Sequence, residues 1–167
     1  MANTSLTRTF SSGNRKTYTF SAWCKFSNPT DSSTLFHGNI WSTTPWGLIY
    51  KEPTSGLRFR IYDGVNDYNL ITNRLFRDVS AWYHIIVAVD TTQATASDRV
   101  KFYVNGVQET SFATATYPTQ NYDTGFNSSV QHQVGHEGGV GNYYNGSMSH
   151  VHFIDGTAYD ATAFGEY

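Results

Sequence analysis

Cysteine is almost absent: Cys24 stands alone among 167 residues, so no internal disulfide can close and the core alone must hold the fold. Charge is scarce too. Asp, Glu, Lys and Arg make up 14% of the chain and the formal net charge is −2, against a usual charged share of about 25%. There is no basic excess to hold a polyanion, so nucleic acid is not an expected partner. Residues that favour helices (Ala, Leu, Glu, Lys, Met, Gln) number 32, whereas those that favour strands (Val, Ile, Thr, Tyr, Phe, Trp) number 66, which excludes an all-helical fold. No run of about 18 apolar residues occurs, so no membrane insertion is expected, and the opening MANTSLTRTF has no apolar stretch of the signal-peptide kind.

What is there is uncharged polarity and aromatic rings. Ser, Thr and Asn together make 49 residues, spread evenly along the chain, as loops and solvated strand faces would be. The length suits one domain over 1–167. Strand-length segments alternate with turn clusters almost throughout. From Thr17 to Phe26 one parity reads Tyr18, Phe20, Ala22, Cys24, Phe26 and the other Thr17, Thr19, Ser21, Trp23, Lys25, the period of a half-buried strand. Cys24 falls with the core set, which makes it a buried structural thiol.

Further strands are expected at Thr34–His37, Gly47–Lys51, Leu57–Tyr62, Tyr68–Thr72, Tyr83–Asp90, Arg99–Val104, Gln108–Phe112, Gln131–Gly135 and Ser147–Ile154. Asn105-Gly106 is the dipeptide of a tight hairpin, because both residue types tolerate positive φ. Both parities of Tyr83–Asp90 are apolar, so that strand should be central and covered on both sides. Only Ala158–Tyr167 could be helical, with Asp160 or Thr162 as cap. Ten or so short strands imply an all-β sandwich or barrel, and the long irregular stretches Ala113–Ser129 and Glu137–Tyr143 are where binding would reside.

Three segments resemble one family. Residues 17–26, TYTFSAWCKF, are similar to the early Trp-bearing strand of laminin G-like domains of the concanavalin A-like lectin and glucanase superfamily. Residues 82–106, WYHIIVAVDTTQATASDRVKFYVNG, are similar to its central hairpin, and residues 134–156, VGHEGGVGNYYNGSMSHVHFIDG, to its closing strand. HFIDG and the terminal FGE most resemble the versions found in structural proteins of tailed phages, particularly marine ones, and of other large viruses. There longer chains usually continue beyond this end, so the sequence is consistent with an excised domain. The resemblance implies a jelly-roll β-sandwich of two antiparallel sheets, with at most a short C-terminal helix.

Fold alone does not fix function, since the superfamily includes lectins, hydrolases, lyases and adhesion modules. Its retaining glucanases present two carboxylates in a Glu-x-Asp-x-Glu pattern. This chain has only Glu52, Glu109, Glu137 and Glu166, none so spaced, and no enzymatic role is expected. Relatives often hold Ca²⁺ at the sandwich rim. The one dense oxygen source here is the loop from Asp63 to Asp67, equally readable as a turn because Asp-Gly is a turn dipeptide. His150 and His152 share a predicted face and His132 and His136 could lie near them, although imidazoles on a strand face need bind nothing.

The remaining chemistry is stacking of sugar C–H faces on aromatic rings, with amide and backbone groups bonding the hydroxyls. Trp41, Trp46, Asn66, Tyr68, Asn121, Tyr122, Asn142 and Tyr143 carry that mixture in predicted loops, and each ring could instead plug an end of the sandwich. Three sequons, beginning at Asn3, Asn127 and Asn145, are of a kind that arises by chance in such a composition. The expected function is a non-catalytic, lectin-like adhesion module at a virion surface or otherwise extracellular, of the tail-fibre or receptor-binding type, multivalent in assembly and binding host-surface carbohydrate. The alternative is a capsid-decoration or fibre domain that contacts other virion proteins.

Overall fold

A computed structural model describes residues 4–40 and 42–165. Twelve strands follow in chain order: β1 (Leu6–Thr9), β2 (Thr17–Phe26), β3 (Ser33–Gly38), β4 (Trp46–Lys51), β5 (Leu57–Tyr62), β6 (Asp67–Thr72), β7 (Tyr83–Asp90), β8 (Val100–Val104), β9 (Val107–Gln108), β10 (Phe112–Thr116), β11 (Gln131–Val134) and β12 (Gly146–Asp155). They form a seven-stranded sheet, β1-β11-β3-β4-β5-β6-β10, and a five-stranded sheet, β12-β2-β7-β8-β9, with every pairing antiparallel. This is the jelly-roll sandwich.

The alternation in β2 builds the core. Tyr18, Phe20, Ala22, Cys24 and Phe26 are all buried and meet Phe36, Ile49, Phe59 and Leu70 of the facing sheet, each large side chain stabilising the fold by roughly 1.5–3 kcal/mol. In β7 the odd-numbered Ile85, Val87 and Val89 join that core. Ile86 and Ala88 lie on the other face, in a second cluster with Tyr103 and Ala161. The cover on that side is a single 3₁₀ turn, Ala161–Phe164, capped by the Asp160 side chain, which accepts a hydrogen bond from the Thr162 amide. Among the described residues of the expected C-terminal helix, only that turn forms.

Two departures from the expected strands have physical causes. Gln108–Phe112 is not one strand: β9 ends the five-stranded sheet and β10 begins the edge of the other, so the chain crosses between sheets at Glu109–Ser111. β1 carries no apolar alternation because all four of its residues are exposed, and backbone pairing with β11 alone defines it.

Candidate functional site

Register fixes what the outer face of the seven-stranded sheet displays. Phe59 and Ile61 of β5 point into the core, so Arg58, Arg60 and Tyr62 must point out. Their cross-strand partners are Tyr50, Leu48 and Trp46 on β4 and Ile71, Asn69 and Asp67 on β6. Three transverse rows result: Trp46–Tyr62–Asp67, Leu48–Arg60–Asn69 and Tyr50–Arg58–Ile71.

The polar groups in these rows are locked. Arg58 Nη1 donates to Tyr50 Oη and Glu52 Oε1, both at 2.7 Å, and its Nε donates to Asn69 Oδ1 at 2.7 Å. The Tyr50 hydroxyl donates in turn to Glu52 Oε1 at 2.7 Å. Burial, followed by that bond to a carboxylate, pushes the Tyr50 phenol up to about 12. Arg60 grips Asp67 with two parallel bonds, Nε to Oδ1 at 2.8 Å and Nη2 to Oδ2 at 2.6 Å, which lowers the Asp67 carboxyl below its ordinary value. The Arg60 guanidinium also lies 5.3 Å from the centroid of the Trp46 ring.

One side of this face is roofed. Between β11 and β12 the chain crosses over β3, where the Gly138 amide donates to His37 Nδ1 at 2.9 Å and His136 Nδ1 lies 2.6 Å from Gln133 Oε1. His136 stacks on Tyr143 with ring centroids 4.3 Å apart. Glu137 is buried and accepts from Asn142 Nδ2. What remains half-exposed is a shelf over β4, β5 and β6 bearing Tyr50, Tyr62, Arg58, Arg60 and Asn69, walled by the 136–143 segment.

The expected site residues divide among three places. Asn142 and Tyr143 line a cleft of about 690 Å³ at the end of the sandwich, against Thr30, Asp31 and Pro53. Asp63, Asn66, Tyr68, Asn121 and Tyr122 gather at the opposite end, where the β5–β6 turn meets the loop after β10. There Tyr122 donates to Asp63 Oδ2 at 3.0 Å, and its ring meets Tyr68 edge-on at 4.8 Å. Asn66 and Asn121 are exposed and Tyr122 is half-buried. Trp41 lies outside the described residues.

Three expectations need correction. Trp46 is 2% exposed, sealed by Arg60 and Tyr62, so it supports the shelf and offers no free ring face. Tyr68 is buried, with its hydroxyl 3.2 Å from Thr119 Oγ1. The calcium ligands proposed at Asp63 and Asp67 are committed elsewhere and do not converge. Asp63 takes the amides of Val65 and Asn66, the Asn66 side chain and the Tyr122 hydroxyl. These bonds, Asn66 foremost, hold its carboxyl far below the usual range. Asp67 belongs to Arg60 on the outer face. The histidines do not gather either: a bulge at Ser149–His152, with His150 at φ 49°, breaks the alternation of β12. Among the described residues no group of three or more His, Cys, Asp or Glu could hold a metal ion.

The shelf residues were absent from the expected site because they occupy the polar parity of strands, which reads as a solvated face. The signal was present in LRFRIY, whose alternation puts two arginines and a tyrosine on one side. Half-exposed rings flanked by rigid planar donors and acceptors can stack on an apolar ring face and bond hydroxyls at its edge.

Comparison with known proteins agrees with the architecture. No curated protein sequence matches. Among solved structures, the CBM40 of the Ruminococcus gnavus IT-sialidase superposes with a TM-score of 0.64 at 14% identity, covering 99% of this chain and 100% of that one. Domain 4 of AbnA, a GH43 extracellular arabinanase from Geobacillus stearothermophilus solved with arabinotriose, gives 0.61 at 19% identity over 89% of this chain, which spans 64% of that one. Mouse laminin alpha1 domains LG4-5 give 0.63 at 11% identity, with 92% of this chain and 39% of that one covered. The profile of the concanavalin A-like lectin/glucanases superfamily matches residues 2–161. A match over nearly the whole length, on a two-sheet sandwich, means that the chain belongs to that superfamily, as a laminin G-like domain.

Proposed function

We propose that this domain is a non-catalytic carbohydrate-binding module and that its ligand lies on the shelf over β4, β5 and β6. The observation that carries this reading is the pairing of two half-exposed tyrosines, Tyr50 and Tyr62, with Arg58, Arg60 and Asn69, whose orientations are fixed before any ligand arrives. Preorganised donors cost little ordering entropy on binding. The arabinotriose and α2,3-sialyllactose complexes of similar folds show carbohydrate held on this scaffold in other proteins. Catalysis finds no support on the shelf. Glycoside hydrolysis needs one carboxyl poised to give up a proton, whereas Glu52 and Asp67 are both ion-paired with arginine.

The setting proposed is an extracellular or virion surface where many copies face a host, a reading supported by the likeness of HFIDG and the terminal FGE to phage and large-virus proteins. An open shelf buries little of a sugar, so a single site binds in the millimolar range, about −4 kcal/mol, and repetition supplies avidity. The test is retention of the domain, clustered on beads, by glycan arrays and host cells. Tyr62→Ala and Tyr50→Ala should each lower retention at least several-fold at matched folded stability. Asn121→Ala, at the far end, should not. Retention unchanged in both tyrosine variants removes the shelf as the site, and clustered wild type that adheres to no glycan favours decoration through contacts with other virion proteins.

A further inference from the structure

The shelf contains two arginines, yet both are bonded to partners within the protein. Arg60 presents Nε and Nη2, the edge of its fork that would take a ligand carboxylate, to both oxygens of Asp67. Arg58 directs Nη1 to Glu52 and Tyr50 and Nε to Asn69. Glu137, 3% exposed, acts on Arg60 from the roofing segment. Two cations face three carboxylates, so the local balance is negative, as is that of the whole chain at −2. A ligand carboxylate or sulfate seeking the bidentate edge of Arg60 would have to displace its pair with Asp67, the strongest kind of hydrogen bond on the surface, and leave that carboxylate uncompensated. Hydroxyls face no such barrier, because they can share these donors and acceptors without adding charge.

Spacing adds a second constraint. Tyr62 and Tyr50 stand in the first and third transverse rows, four residues apart along the strands, which is about 13 Å. One sugar ring cannot touch both. Resting on the carbohydrate reading above, we infer that the shelf selects uncharged glycans and takes them as a linear segment of several sugars laid along β4 and β5, not by a charged terminal residue.

The experiment compares the bead-clustered 167-residue chain on neutral oligosaccharides with matched sialylated, uronate-bearing and sulfated forms, using monosaccharides and trisaccharides as competitors. Expected is retention by neutral chains, at least about tenfold weaker retention by the acidic forms, better competition by the trisaccharide, and no loss in high salt, since no net ionic attraction is screened. Glu52→Gln with Asp67→Asn, which removes the two carboxylate charges ion-paired with Arg58 and Arg60, should shift the preference toward acidic glycans. Preference of the wild type for sialylated or sulfated glycans overturns the inference and leaves the carbohydrate reading standing. Retention by no glycan overturns both. A folded double variant that gains nothing on acidic glycans shows that the internal carboxylates do not set the selectivity. The wild-type comparison decides by itself if the double variant does not fold.

Discussion

Lys51 shows how a single residue shapes the end cleft without lining it. It points inward from the end of β4 and is 1% exposed. Its ammonium donates to the carbonyls of Pro29 at 2.8 Å, Asp31 at 2.6 Å and Glu52 at 3.3 Å, and lies 5.6 Å from the Phe26 ring centroid. A buried charge is tolerated only when it is so satisfied, and here the satisfaction holds the 27–32 loop that forms one wall of the end cleft. Lys51→Met keeps the volume but strands buried carbonyls, so it should destabilise the domain by about 2 kcal/mol or more, read from the urea midpoint. An unchanged midpoint means that water replaces the ammonium without loss. Cys24 is a contrasting case, a core thiol that burial pushes up to about 12.

At the scale of elements, the Asn105-Gly106 turn links β8 and β9 with φ of 49° and 79°. Asn105 Oδ1 also accepts from the His84 amide at 2.7 Å, tying the turn to the neighbouring strand. Gly106→Val places a β-branched residue at positive φ and should cost about 1 kcal/mol or more, seen as a lowered melting temperature. No change in melting means the turn can adopt another form at no cost. Strands were legible wherever one face is core: β2, β5 and β7 have the bounds that alternation implies. β1 was not, since an exposed edge strand leaves no hydrophobic trace. The shelf proposed as the site escaped notice for a related reason. Aromatic and amide residues in loops drew attention to both ends of the sandwich, whereas the shelf depends on which strands neighbour β5, a fact of topology that no local pattern in β4, β5 or β6 contains.

For the whole molecule, acid response follows from two buried imidazoles. His37 and His132 are each lowered from 6.5 to about 4, chiefly by burial. Each also accepts an amide bond that needs an unprotonated nitrogen: Gly138 to His37 Nδ1 and Asn127 to His132 Nε2. Because the unfolded chain binds these protons first, stability is complete above the unfolded value of 6.5 and is lost as pH falls toward 4. The loss should be on the order of 2 kcal/mol or more. Asp63, Asp67 and Asp90 have lowered carboxyls, so their contribution disappears only below about 4. Thermal melts across this range should show two stages, with His37→Gln flattening the upper one. A melting temperature constant from pH 6.5 to 4 contradicts the assignment.

The laminin G-like sandwich offers a ligand two ends and two outer faces, and the proposed ligand occupies one face. Nuclear magnetic resonance of the isotope-labelled domain, titrated with a neutral oligosaccharide identified on the array, tests that most directly. The predicted result is a contiguous set of shifts over Tyr50, Arg58, Arg60, Tyr62 and Asn69, saturating in the millimolar range. Shifts confined to Asn66, Asn121 and Tyr122, or to the cleft beside Asn142 and Tyr143, would contradict it.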